Sequence, residues 1–101
     1  MPQLKDVARY VRSKNAGPFW VTIDIFCDDR ERFERVAQAA ATSPQAVADL
    51  YGVPADQVAR FPDPNLNVLK ISFPRPVVAG AFTDKDAHAG QYFVPLLECE
   101  V

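Results

Sequence analysis

The sequence predicts an α+β protein, a ferredoxin-like two-layer sandwich whose three- to four-stranded, mostly antiparallel sheet carries its helices on one face. Three observations predict it. Residues 19–26 alternate as a strand, residues 28–52 trace two consecutive helical stripes, and a second alternating run at 66–73 is bounded by prolines. A chain of 101 residues with 49% hydrophobic residues makes one domain, 1–101, with a single modest core.

The first segment, Gln3 to Arg12, reads two ways. Leu4, Val7, Ala8 and Val11 recur at helical spacing, while an extended piece leading into a hairpin at Asn15 to Pro18 also fits. In the strand Phe19 to Phe26, Phe19, Val21, Ile23 and Ile25 share one face and Trp20, Thr22, Asp24 and Phe26 the other. Apolar bulk on both faces predicts a central position. Asp28 and Asp29 then supply cap oxygens for a helix whose stripe is Phe33, Val36, Ala37, Ala40 and Ala41, ending near Thr42. Glu31 and Arg35 have the spacing of a helical ion pair.

Ser43-Pro44 reads as a cap followed by proline at the first helical position, opening a second helix with Val47, Leu50 and Tyr51 that closes at Gly52. A short helical turn is expected from Pro54 to Arg60. Leu66 to Phe73 reads as a strand with Leu69, Ile71 and Phe73 toward the core, ended by Pro74-Arg75-Pro76. Val77 to Gly90 is a connector, long enough for a flap or a site loop. Gln91 to Val101 reads as the last strand, with Pro95 marking an edge or a bulge.

Composition excludes several function classes. A formal net charge of −2 with scattered Lys and Arg argues against nucleic-acid binding. No run approaches the roughly 20 apolar residues that cross a bilayer, and no secretory pattern opens the chain, so a cytoplasmic location is expected. Two cysteines, Cys27 and Cys99, make neither a disulfide framework nor a zinc site and are expected as buried reduced thiols.

The chemistry-bearing stretch is Arg12-Ser13-Lys14-Asn15-Ala16-Gly17-Pro18, a polar segment directly before the most apolar strand. Arg12 and Lys14 supply cations, Asn15 supplies a neutral donor, and Gly17 permits close approach or a positive φ. The competing account is a plain turn with Lys14 in solvent. Arg75, stiffened by flanking prolines, is a second candidate for an anion, against a solvent-facing strand end. Asp24 lies inside an apolar strand, so it faces solvent or meets a cation such as Arg12, Lys14 or Lys70. Asp84, Asp86 and His88 alternate and form a weaker acid–base set, with ordinary turn chemistry as the simpler account. No metal site, phosphate loop, dinucleotide fingerprint or nucleophile triad is present, and no cofactor is expected.

Five stretches carry a family resemblance: Leu4-Lys5-Asp6-Val7-Ala8, Arg12 through Phe19, Pro64-Asn65-Leu66-Asn67-Val68-Leu69, Pro74-Arg75-Pro76 and Leu96-Leu97-Glu98-Cys99-Glu100-Val101. Over nearly its whole length the chain resembles the uncharacterised DUF4387 family. It is more distantly similar to the small ferredoxin-fold domain that accompanies AtuA-like acyclic terpene utilisation proteins. That domain's first loop usually reads Arg-Ser-Gly-Asp-Lys-Gly. Here Lys14-Asn15 replace its glycine and aspartate, so no role of that aspartate carries over. The resemblance implies a strand in the first segment, completing a four-stranded sheet.

It also implies an accessory subunit or binding module. Such a module would act with an AtuA-like partner in catabolism of branched or terpenoid carboxylic acids or their coenzyme A esters, with an anion-binding loop at 12–18. The expected partners are further copies of the chain, a larger AtuA-like protein and a small anionic metabolite. The alternative is a small oligomeric lyase or isomerase acting on a carboxylate or acyl thioester between subunits, using Arg12, Ser13, Lys14, Asn15 and Asp24.

Overall fold

The computed structural model describes residues 2–17, 19–75 and 93–101; the connector at 77–90 lies outside them. Leu4–Val7 (α1) is a single helical turn, started by the Asp6 carboxylate accepting the Gln3 N–H at 3.1 Å. Tyr10–Asn15 (β1) and Trp20–Phe26 (β2) then form an antiparallel hairpin. The first segment is therefore both things the sequence allowed, a helical turn and then a strand. The Ala16 N–H donates to the Trp20 carbonyl at 2.9 Å, and Gly17 takes φ +83°, a conformation that favours glycine.

Asp29 caps the helix Arg30–Gln38 (α2), its carboxylate accepting the Arg32 N–H at 2.8 Å. The helix stops four residues before Thr42, and Ala40–Thr42 forms a 3-10 turn. Glu31 and Arg35 do not pair as expected. Arg35 turns to the C-terminal segment and donates to the Val101 carbonyl through Nε and Nη2 at 3.3 and 3.1 Å. The helical ion pair of this region joins Asp28 and Arg32 at 3.4 Å.

The next helix, Pro44–Tyr51 (α3), follows the sequence expectation: Ser43 caps it, proline occupies its first turn, and Gly52 ends it at φ +68°. The helical turn expected from Pro54 to Arg60 is shorter, Ala55–Gln57, because Ala59 and Arg60 pair into a sheet instead. It leads into a strand the sequence did not announce, Ala59–Asp63 (β3), which pairs antiparallel with Val68–Pro74 (β4). Strand β4 starts two residues after the expected Leu66, which is exposed in the intervening turn.

The result is an α+β two-layer sandwich with one antiparallel sheet in the order β1-β2-β4-β3. Val21, Ile23 and Ile25 of β2 and Leu69, Ile71 and Phe73 of β4 are fully buried in one cluster with Phe33, Val36 and Val47 of the helices. Each such side chain withdrawn from water stabilises the fold by about 2 kcal/mol. Tyr51 stacks on Phe73, ring centroids 4.5 Å apart. Among the described residues no helix is long and apolar enough to cross a membrane.

The expected final strand is corrected. Among its described residues, 93–101, Val94–Leu96 is a 3-10 turn and the pairing reduces to one bridge, Gln3 with Glu100. Pro95 suits the start of such a turn and sits at neither an edge nor a bulge. The carbonyls of Cys99 and Leu97 accept from Leu4 and Lys5, and the Val101 N–H donates to Pro2, so this segment closes over the chain's first residues.

Candidate functional site

Register places the predicted polar residues on two faces of one sheet. In β1, Val11, Ser13 and Asn15 oppose Ile25, Ile23 and Val21, whose side chains meet the helices; Tyr10, Arg12 and Lys14 oppose Phe26, Asp24 and Thr22 on the face that carries no helix. On that open face the cross-strand row is Arg12, Asp24, Lys70 and Phe61, one residue from each strand.

Asp24 is 1% exposed. Its Oδ2 accepts from Arg12 Nε at 3.1 Å, and its Oδ1 has Lys70 Nζ at 3.7 Å, an ion-pair distance without a hydrogen bond. The Arg12 guanidinium lies over Phe26, 5.1 Å from the ring centroid, and Phe26 stacks on Tyr10 at 4.4 Å. The carboxylate thus meets two of the three cations named for it, and the aromatic pair fixes the plane of one of them. Lys14 is exposed and makes no hydrogen bond or ion pair with the described residues. Tyr10, Trp20 and Phe61 expose 48%, 40% and 56% of their surface around this row.

Ser13, Asn15 and Arg75 gather instead on the helix side, at the hairpin end of the sheet. The Ser13 hydroxyl accepts the Phe93 N–H at 3.1 Å, and Arg75 Nη1 donates to the Asn15 side-chain carbonyl. The Arg75 N–H donates to the Phe19 carbonyl at 2.7 Å, and the residue is only 7% exposed, so it is no solvent-facing strand end. Gly17 holds the turn, with open space where a Cβ would stand.

Asp84, Asp86 and His88 lie outside the described residues. Among the described residues no three His, Cys, Asp or Glu side chains cluster as a metal site would need. Two cavities lie away from the open face. One of about 340 Å³ is lined by Pro2, Asp6, Val7, Asp29, Glu31, Arg32 and Arg35, and one of about 400 Å³ by Ala41, Ala46, Asp49, Leu50 and Cys99. Cys27 and Cys99 are free thiols, Cys27 buried and Cys99 half-buried. Burial, with Asp29 and Asp28 adding to it, pushes the Cys27 thiol up to about 11, and burial raises Cys99 as well, so neither is an activated nucleophile.

Sequence reasoning named Arg12, Lys14 and Asp24 but not the aromatic surround of Tyr10, Trp20, Phe26 and Phe61. The signal was present in β2, whose second face combined Trp20 and Phe26 with a carboxylate where a solvated face would be polar. Phe61 was hidden because its strand was. A family model described as a domain of unknown function, DUF4387, matches residues 4–100. No curated protein and no solved structure matches the chain.

Proposed function

Starting from the fact that the chain belongs to the DUF4387 family, we propose that it is a binding module, an accessory subunit that recognises an anionic group presented by a larger protein. The supporting observation is the open sheet face, where Arg12, Lys14 and Lys70 share one surface with the exposed rings of Tyr10, Trp20 and Phe61. Isolated exposed apolar residues need no explanation, but a cluster on one face with fixed cations has the composition of an interface. The partner we propose is an AtuA-like protein, and the setting is catabolism of branched or terpenoid carboxylic acids or their coenzyme A esters. Arg12 and Lys14, expected in a loop at 12–18 but standing in strand β1, contribute its cations.

The lyase or isomerase alternative requires Arg12, Ser13, Lys14, Asn15 and Asp24 to surround one substrate. Within one chain they divide between opposite faces of the sheet, so a second subunit would have to complete that site. A binding role needs only one face. Light scattering on the purified chain, alone and mixed with an AtuA-like protein from the same source, tests the reading. A complex of the summed mass is expected; two separate monomers in the mixture would overturn it.

A further inference from the structure

The open face also narrows the chemistry of the partner, an inference that rests on the binding-module reading. The face carries Arg12, Lys14 and Lys70 against Asp24 and Asp63, in a chain whose net charge is −2. Neither carboxylate is offered outward. Asp24 is buried beneath two of the cations, and Asp63 accepts the N–H groups of Asn65 and Leu66 at 3.1 and 3.3 Å within its own turn. What remains toward solvent is cationic and aromatic.

We infer that this face docks a protein surface on which carboxylates are set among apolar side chains, with Arg12 as the anchor. The Arg12 side chain is half exposed, yet Asp24 holds its Nε and Phe26 its plane, while its Nη groups make no hydrogen bond with the described residues. A carboxylate meeting such a guanidinium orders little that is not already ordered. Lys14 and Lys70 flank Arg12 on the same face and add attraction at longer range. Neither described cavity opens here, which suits a broad protein surface better than a small molecule. A second copy is the weaker occupant, because face-to-face contact sets three cations of one chain against three of the other. Single-stranded nucleic acid also stacks on aromatic rings, but an acidic chain with three cations on this face lacks the phosphate-neutralising charge.

The test is an amide NMR titration of the whole chain with four probes: a synthetic peptide alternating Glu and Leu, the same peptide with Lys for Glu, an oligothymidylate, and the chain itself by dilution. The Glu peptide is expected to shift signals of β1, β2 and β4, with affinity falling about tenfold in Lys14→Glu. That variant leaves the fold intact, since Lys14 holds no structural partner, and Arg12→Gln should weaken binding further. Equal binding of the Lys peptide, tighter binding of the oligothymidylate, self-association through this face, or no shift with the Glu peptide would each overturn the inference. A complex with the AtuA-like protein that forms normally in Lys14→Glu and Arg12→Gln would remove this inference alone; no complex with the wild-type chain would remove the binding-module reading.

Discussion

Asp24 costs the fold free energy unless cations reach it, because a carboxylate 1% exposed has exchanged water for the interior of a sheet. Two cations reach it, by unequal geometry. Arg12 makes a hydrogen bond at 3.1 Å, whereas Lys70 stands at 3.7 Å. Replacing Arg12 by Ala should therefore destabilise by about 3 kcal/mol, since it strips the buried charge of its hydrogen-bonded partner. Replacing Lys70 by Ala removes a half-exposed, longer contact and should cost about 1 kcal/mol or less. Urea unfolding of the two variants measures the difference, and a reversed order would contradict the geometry.

The two most perturbed groups make a second prediction at this scale. Cys27 is raised from 9.0 to about 11 by burial and nearby carboxylates, and Tyr51 is raised by burial and then by Cys99. Both fold best with the proton on. At alkaline pH the unfolded chain releases protons that the folded chain keeps, so stability is full below pH 9 and falls as pH rises through 9 to 11. Cys27→Ala should flatten that part of the pH profile in thermal melts. Pairing of Asp24 was one of the two outcomes legible in the sequence, because a carboxylate inside an apolar strand either faces solvent or needs a cation. Burial of Arg75 was not, because its partner Asn15 is 60 residues away.

At the scale of elements, legibility followed periodicity and local chemistry. Helix α3 was readable to the residue, since Ser43, Pro44 and Gly52 each act on the backbone next to them. Ser43→Ala should cost about 1 kcal/mol by leaving the Ala46 N–H without its hydroxyl acceptor, measurable by urea unfolding. Strand β3 was hidden. Ala59-Arg60-Phe61-Pro62-Asp63 has no alternating apolar set and contains a proline, which an edge strand tolerates and which argues against a strand when read alone. Pairing with β4 creates it.

The C-terminal segment misled in the opposite sense. Leu97, Cys99 and Val101 alternate, but Pro95 starts a 3-10 turn that buries Leu96 completely, and the backbone is then satisfied by α1 and Pro2. Burial of one leucine and three backbone hydrogen bonds to the first residues outweighed the period-two pattern. The β1–β2 hairpin itself was legible, from a turn-forming stretch at 15–18 set before an apolar strand. Its division into two faces followed from register, which fixes Arg12 against Asp24 and Ser13 against Ile23.

For the whole molecule, the two layers leave the sheet with unlike faces. One meets the helices through valine, isoleucine, leucine and phenylalanine; the other presents cations and rings to solvent around a buried carboxylate. A sheet face intended only for water would carry polar side chains at Tyr10, Trp20 and Phe61, where this chain carries aromatics. Periodicity along the chain was enough for the fold class but could not reveal this asymmetry, because it depends on which strands are neighbours.

The most direct test compares three variants of the chain for complex formation with an AtuA-like protein by light scattering, each checked for native circular dichroism. Phe61→Ser and Lys14→Glu alter the open face, and Leu50→Ser alters an exposed apolar residue of α3. Both open-face variants are expected to weaken the complex by about tenfold or more while Leu50→Ser leaves it unchanged. A complex lost in Leu50→Ser and kept in both open-face variants would contradict this expectation.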